Sequence, residues 1–305
     1  MFLRYLLLGV FYLSLAGCLA EREPLAGSEP LADSQPVVRG VLHGELVWQG
    51  DIFIAGDVIL ADDVKLTILP GTRVRFMPPD TGPGGLVEHP HFPGSELIIQ
   101  GQVYAVGTPS KPIIFEAADP SAPAGFWGAV NIEGSQEAIF EYCIFRQADS
   151  AVHSRDSQVY IEQSIFEDNL VGIRFHSSEI LIEHNLLSNN HTGIRFHFGS
   201  PVICENEFRD NNVNLFITSH PRDYHIENNS FGLPAEYHVA FGEEVPEDVL
   251  LPRNFWIYSE TVSRDNFFYD GRRSPYLGKV LIEPSRATPS TQTGPSTQAG
   301  SPWTP

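Results

Sequence analysis

The amino-acid sequence predicts an all-β solenoid in which each coil takes up about 21 residues. Three consecutive units repeat at this period, beginning at Val159, Ile180 and Val202, with an earlier copy from Ala138 and a later one from Tyr224. Glycine and proline are frequent, with 26 and 24 of the 305 residues, whereas methionine occurs twice. Short apolar runs separated by Gly, Asn, Asp and Pro indicate strands and turns, and no stretch has convincing helical periodicity.

Four apolar columns recur in register through the repeats. They are Phe140, Ile161, Ile182, Ile203 and Ile226; Phe145, Phe166, Leu187, Phe208 and Phe231; Val152, Ile173, Ile194 and Leu215; and Phe175, Phe196 and Ile217. Each coil of a solenoid buries its inward side chains against its neighbours, so each column is expected to be a stack in the core. Leucine-rich repeats have a similar period but need a helical segment, for which the intervals between columns are too short. Three short strands and three turns fit each coil, with coils about 4.8 Å apart.

A column of small polar residues also falls in register. Its members are Cys143, Ser164, Asn185, Asn206 and Asn229. A buried turn amide can bond the equivalent amide one coil away, so the asparagines predict a structural ladder. Cys143 and Cys204 lie three coils apart, which is roughly 14 Å of axial rise, whereas a disulfide needs Cα atoms within about 7 Å. We therefore expect two free, largely buried thiols.

The first 40 residues are predicted to lie outside the folded domain. Residues 1–17 have one early charge, Arg4, and then an apolar run too short to span a bilayer, as in a secretory signal peptide. The segment ending at Cys18 resembles the lipobox of bacterial lipoproteins, which implies that Cys18 is lipid-modified; a chance cysteine in an ordinary signal is the alternative. Leu19, rather than Asp, implies the outer membrane if the host is Gram-negative. Residues 18–40 are expected to be a tether.

The remaining chain divides into a folded domain and a tail. A single β-helix domain is predicted over residues 41–283, with the clearest repeats at 138–245 and a closing segment at 246–283. Residues 284–305 are rich in Pro, Ser, Thr, Gln and Gly and are expected to be disordered. The net charge of −19, from 38 acidic and 19 basic residues, excludes non-specific binding to nucleic acid or anionic lipid, because both need clustered Lys and Arg.

Several motifs outside the repeats point to a family. They are VKLTILPGT at 64–72, LIIQG at 97–101, WG at 127–128, NFW at 254–256 and YDG at 269–271. This series resembles the opening and closing coils of bacterial right-handed parallel β-helix surface proteins of the pectate-lyase-like superfamily, and the 21-residue units are similar to β-helix repeats of the NosD type. At the closing segment, Ile257 replaces the usual Gly. The resemblance covers about 45–284 and implies the fold, but not the function, because this fold hosts lyases, hydrolases, epimerases, adhesins and structural proteins.

Outward positions on a β-helix form straight rows, so a ligand site should be a column of residues. The clearest column contains His153, Arg174 and Arg195, flanked by His176 and His197. Because strand side chains alternate, these residues point away from the core that Ile173 and Phe175 enter. The stacked arginines could bind carboxylates of an acidic polysaccharide. The simpler alternative is that they pair with surface carboxylates in adjacent columns.

Two further groups of residues are weak candidates for a metal site. Glu141, Glu162, Glu183 and Glu227 recur in register, and stacked like charges repel unless they are countered. A Ca²⁺ ion would counter them, as the resemblance to pectate lyases suggests, but screening by nearby Arg or His is simpler. Glu88, His89 and His91 lie in an insertion at residues 77–95, where the run Glu-His-Pro-His could supply two or three metal ligands. Proline between the histidines forces an extended dipeptide, which favours a flexible loop over a metal site.

No catalytic dyad can be assigned from the sequence. The Asp-Pro-His-Asp signature that alginate epimerases of this fold carry is absent, and no aspartate cluster of the polygalacturonase kind is seen. The sequence therefore predicts a lipid-anchored cell-envelope protein that acts as a non-catalytic module for glycan or protein, without a cofactor. The alternative is a carbohydrate-active enzyme, a lyase or hydrolase, that acts on an acidic polysaccharide; a spacer without a ligand is a third possibility.

Overall fold

The structure is a computed structural model, and it describes residues 37–78 and 91–290. The predicted signal peptide, Cys18 and most of the predicted tether lie outside the described residues, as do Glu88, His89 and the tail from residue 291. No helix within the described part of the chain is both long and apolar enough to cross a membrane.

The described chain winds into a parallel β-helix of about ten coils with three faces. Face 1 is a sheet of eight strands: Glu45–Trp48, Lys65–Ile68, Gln102–Val106, Ala138–Glu141, Gln158–Glu162, Glu179–Glu183, Val202–Cys204 and His225–Glu227. Face 2 comprises Arg73–Phe76, Ile113–Ala117, Cys143–Arg146, Ile165–Glu167, Leu186–Ser188, Glu207–Arg209, Ser230–Phe231 and Phe255–Trp256. Face 3 comprises Leu97–Ile99, Trp127–Glu133, Ala148–Arg155, Val171–His176, Thr192–His197, Val213–Ser219, Tyr237–Glu244 and Phe268–Tyr269.

Faces 2 and 3 join into one 18-stranded sheet near the first coil. The strand Asp51–Leu60 turns this corner, because its first half pairs with face 2 and its second half with face 3. Val37–Leu42 pairs along the same strand. After the last coil, Val249–Leu250 pairs with Val280–Leu281, and Arg264–Phe267 forms a short 3₁₀ helix.

The 21-residue register is confirmed by the strand pairing. Gln158–Glu162 pairs with Glu179–Glu183 at this offset, and all four predicted apolar columns are Cα partners on consecutive strands. The phenylalanines stack face to face: the ring centroids of Phe145 and Phe166 are 4.8 Å apart, and those of Phe175 and Phe196 are 4.9 Å apart. These separations match the interstrand spacing, so the core is a stack of like side chains.

The predicted asparagine ladder is present and extends by one coil. Nδ2 of Asn185 donates to Oδ1 of Asn206 at 3.0 Å, and the same bond links Asn206 to Asn229 and Asn229 to Asn254. In the earlier direction, the backbone N–H of Ser164 donates to Oδ1 of Asn185 at 2.9 Å. All four asparagine side chains are buried. The ladder therefore satisfies turn groups that water cannot reach.

A second ladder, which the sequence reasoning missed, follows face 2. Asn169, Asn190 and Asn211 are buried and linked by Nδ2-to-Oδ1 bonds of 3.0 and 3.1 Å. The residue before each of them has a φ between 53° and 58°. This left-handed turn ends the face 2 strand, and the amide then satisfies the backbone groups that the turn leaves open.

The two described cysteines are free thiols, as predicted. Cys143 is buried with its Sγ 3.3 Å from the carbonyl oxygen of Ala105. Cys204 is only half-buried, because it lies in the outward glutamate row of face 1, where its thiol donates to Oε1 of Glu183 at 2.9 Å. Burial, followed by that hydrogen bond and the charge of Glu183, raises the pKa of Cys204 to about 12.

The predicted glutamate row is in register on face 1, and nearby basic groups screen part of its charge. Glu162 pairs with Glu141 and Glu183 on the neighbouring strands. Burial, and then the charge of Glu183, raises the pKa of Glu162, whereas His184 lowers it. Glu227 forms an ion pair with Arg253. In the described ranges, no group of three or more His, Cys, Asp or Glu side chains is arranged to hold a metal ion.

Candidate functional site

The predicted basic column lies on the outer surface of face 3. His153 pairs with Arg174, and Arg174 pairs with Arg195, on three successive strands. Two positions further along these strands, His176 pairs with His197. The alternation of the strands buries the intervening Ile and Phe side chains in the core and leaves the Arg and His side chains on the outer side.

A pocket of about 370 Å³ opens on this surface. The side chains of His153, Arg174, His176, Arg195 and His197 all line it, together with Phe175, Phe196 and Thr218. The structure therefore gathers all five residues of the predicted site into one cavity. We call this cavity the basic pocket.

Both arginines are half-buried, and their guanidinium groups lie over aromatic rings instead of pairing with acids. The Cζ atom of Arg174 is 5.2 Å from the ring centroid of Phe92, and that of Arg195 is 5.0 Å from that of Phe216. Among the residues that the structure describes, no carboxylate forms an ion pair with either guanidinium. The simpler sequence interpretation, pairing with carboxylates in adjacent columns, is therefore not what the described chain adopts.

Burial and like charge act together on these arginines. Burial, and then the charge of Arg195, lowers the pKa of Arg174, although attraction to Asp149 opposes both effects. Burial also lowers the pKa of Arg195. Both shifts mean that the pocket holds positive charge at a cost in free energy, and a bound anion would offset that cost.

The two histidines form a stacked pair at the wall of the basic pocket. Their ring centroids are 4.9 Å apart with an interplanar angle of 13°. Nδ1 of His197 lies 3.2 Å from Oγ1 of Thr218 and 3.0 Å from Oγ of Ser219, and Oγ of Ser219 donates to Glu244 at 2.6 Å. Nδ1 of His176 is buried and has no hydrogen-bond partner in the described ranges. Burial, and then His176, lowers the pKa of His197.

Arg174 and His153 are also packed against residues that the sequence reasoning did not assign to the site. Phe92 is buried against His153, with ring centroids 5.0 Å apart and nearly perpendicular rings. Nδ1 of His153 lies 2.7 Å from Oδ1 of Asn131. The N–H of Phe92 donates to Oε1 of Glu96 at 3.0 Å, which holds the aromatic ring beside Arg174. Phe92 lies in an insertion, outside the periodic part of the chain, so no register could have placed it.

His91, which the structure describes, whereas Glu88 and His89 lie outside the described residues, is packed beside Phe92. Its Nδ1 lies 3.1 Å from Oε2 of Glu96, and its Nε2 lies 3.9 Å from Oε1 of Glu133. Glu96 is fully buried. Burial, followed by repulsion from Asp57, raises the pKa of Glu96 to about 9, so this carboxyl is protonated at neutral pH. A protonated Glu96 has no negative charge that could neutralise the arginines of the basic pocket.

Comparison with known proteins bears on the fold. The family model for right-handed β-helix regions matches residues 128–239, a stretch that contains the whole predicted column. This match and the parallel coils of the structure agree that the chain is an all-β, right-handed parallel β-helix with a repeated sequence. Neither the curated proteins nor the solved structures contain a match to the sequence. The class of protein is thus a β-helix with a basic pocket on one face.

Proposed function

We propose that this β-helix is a binding module for an acidic glycan, whose carboxylates are held by Arg174 and Arg195. One observation carries the proposal: two half-buried guanidinium groups on adjacent strands share a pocket, and neither forms an ion pair with a carboxylate among the described residues, although Arg174 is attracted to Asp149. Burying a cation costs free energy unless an anion or another acceptor compensates for it. Neighbouring arginines one interstrand spacing apart, about 4.8 Å, can each bind a carboxylate oxygen through paired N–H donors.

The pocket also fits a sugar better than a bare anion. The rings of Phe92 and Phe216 pack against the guanidinium groups of Arg174 and Arg195, respectively, which restricts the guanidinium planes for forked bonds. The imidazoles of His176 and His197 and the hydroxyl of Thr218 add donors and acceptors suited to sugar hydroxyls. A glycan that bears carboxylates satisfies both sets of groups.

Binding without catalysis is favoured because no carboxylate is among the described residues that line the basic pocket, whereas glycoside hydrolysis commonly uses a pair of them. Glu96 is fully buried behind Phe92 and cannot touch a substrate, and Glu244 lies outside the lining, with its Oε2 3.7 Å from Nε2 of His197. The alternative function, a lyase or hydrolase acting on an acidic polysaccharide, would have to use the imidazoles that line the pocket as its acid or base. That alternative predicts unsaturated or reducing-end products when the protein is incubated with its ligand.

A glycan array with the purified protein tests the proposal. We expect signal on uronate-bearing glycans and none on their neutral counterparts. The same samples, assayed for unsaturated and reducing ends after incubation, separate a binding module from an enzyme. An array with no uronate signal would contradict the proposal, and product formation would replace it with the enzymatic alternative.

We also propose that the domain is displayed from a membrane by a lipid on Cys18, in the bacterial cell envelope. The support is the signal-like segment and the lipobox resemblance, both in residues that the structure does not describe. Expression with radiolabelled palmitate should give a labelled protein in the membrane fraction, and Cys18→Ser should give an unlabelled one. Labelling that survives Cys18→Ser would show this proposal to be wrong.

A further inference from the structure

We propose that the basic pocket continues along face 3 into an aromatic subsite, formed by Tyr269 and Tyr276, that takes an uncharged sugar. This inference rests on the proposed function and adds to it the kind of glycan: a linear chain that carries carboxylates at one end of the site and a neutral sugar at the other.

The strand register connects the basic pocket with the two tyrosines. The row that contains Arg195 continues through Phe216 and Ala240 to Tyr269 on three successive strands. Three interstrand spacings amount to roughly 14 Å. Because a pyranose in a linear chain advances by about one such spacing, an oligosaccharide of at least four sugars can reach from Arg195 to Tyr269.

Along this row, Phe216 and Ala240 lie between Arg195 and Tyr269. The row position between Phe216 and Tyr269 is Ala240, whose methyl group cannot block a chain lying on the sheet. Gly242 lines the second cavity and packs against Thr218, which lines the basic pocket. A Cβ atom at Gly242 would lie 3.0 Å from the Cα atom of Thr218, so any side chain here would disturb the junction. The two cavities are thus neighbours on face 3.

The second cavity, of about 380 Å³, has the character of a sugar-stacking site. Tyr276 is 85% exposed and Tyr269 is 41% exposed, and both line the cavity with Phe241 and Leu277. Large aromatic side chains in contact with water at a cavity commonly mark a binding surface. The C–H face of a pyranose can cover a tyrosine ring while its hydroxyls stay hydrated.

The charge of this cavity selects against a second carboxylate. Glu243 lines it together with the hydroxyl of Ser274, and none of the described residues that line it is basic. A uronate placed here would face like charge, whereas the hydroxyls of an uncharged sugar can donate to Glu243. The two ends of the site therefore prefer different sugars.

Calorimetric titration with galacturonate oligomers tests the inference. The probes are the disaccharide and the octasaccharide, the latter in its fully acidic form and in a partly methyl-esterified form, which removes charge without changing the sugar. We expect the esterified octasaccharide to bind most tightly. In Tyr276→Ala its affinity should fall about tenfold, while that of the disaccharide stays the same. Tyr160→Ala is the matched control, because Tyr160 is 42% exposed on face 1, away from the site.

The outcomes separate the two proposals. Failure of every galacturonate to bind would contradict the proposed function and the subsite with it. Binding that is independent of chain length, or an octasaccharide affinity that Tyr276→Ala leaves unchanged, would overturn the subsite alone. Tighter binding of the fully acidic octasaccharide would overturn the assignment of a neutral sugar. Since Tyr276 is almost fully exposed, its replacement leaves the core intact.

Discussion

Replacing Asn206 with alanine tests how the coils are held at their turns. The Asn206 side chain makes five hydrogen bonds in the ladder. It accepts from the backbone N–H and from Nδ2 of Asn185, each at 3.0 Å, and it donates to the carbonyl oxygens of Ile182 and Cys204 and to Oδ1 of Asn229 at 2.8, 3.0 and 3.0 Å. Alanine removes all five bonds inside a fully buried turn.

The expected cost follows from the groups that lose their partners. The N–H of Asn185 and the carbonyl oxygen of Ile182 keep their positions but lose a bond to the side chain, and each unsatisfied buried group costs about 1–3 kcal/mol. Together with the cavity left by the amide, Asn206→Ala should lower the free energy of unfolding by about 3–5 kcal/mol. Since whole domains are stable by only about 5–15 kcal/mol, the effect is large.

Urea unfolding followed by circular dichroism measures this loss through the midpoint and the slope. Asn212→Ala is the control, because the Asn212 amide makes an exposed hydrogen bond to His191 instead of a buried ladder bond. We expect the control to change stability by less than about 0.5 kcal/mol. A loss below about 1 kcal/mol in Asn206→Ala would refute the reasoning, because hydrogen bonds to neighbouring coils would then suffice without the ladder.

Three other predictions concern titratable groups. The pKa of the Glu96 carboxyl is raised from 4.5 to about 9 in the folded protein, so the stability that its protonated form contributes is complete below pH 4.5 and is lost as the pH rises towards 9. The free energy of unfolding, measured with urea, should therefore fall across this window by up to about 1.4 kcal/mol per pH unit. Glu96→Gln should flatten that slope. Because the pKa of His197 is lowered from 6.5, the positive charge of its imidazole appears only below that pH. Calorimetric affinity for galacturonate oligomers should therefore rise on acidification from about pH 6.5 to 5, and His197→Gln should make that rise smaller. Burial raises the pKa of Cys143 well above its usual range, so a maleimide should label this thiol only after unfolding. A free energy of unfolding that does not change with pH would contradict the first prediction. A galacturonate affinity that falls on acidification would contradict the second, and rapid labelling of Cys143 in the native protein would contradict the third.

The strict period of the chain explains why so much was predictable. A side chain 21 residues further along falls at the same place on the next coil, so reading columns in the sequence is equivalent to reading rows on the surface. For this reason the core stacks, the ladder that contains Asn206, and the alignment of Arg174 with Arg195 follow from the sequence alone. The second ladder, from Asn169 to Asn211, has the same period and could have been found in the same way.

Other features depend on distances that a period cannot supply. Phe92 and Glu96 come from an insertion before the repeats, and only the folded chain brings them to His153. The absence of an ion pair for the two arginines among the described residues is also a matter of side-chain geometry, because Asp149 is near enough to attract Arg174 but forms no ion pair with it. The closing tyrosines lie beyond coils of unequal length, which hides their register.

The most direct test of the account is the affinity of the variant Arg174→Gln/Arg195→Gln for octagalacturonate, measured by calorimetric titration. Glutamine keeps part of each side chain over its aromatic neighbour but removes both charges. We expect at least a hundredfold loss, since two charge-assisted hydrogen bonds contribute about 3 kcal/mol or more. The control variant Arg146→Gln/Arg209→Gln removes the same charge from face 2, where both arginines are ion-paired, and should bind like the native protein. Equal affinity in the two double variants would contradict the central claim that the basic pocket holds the glycan.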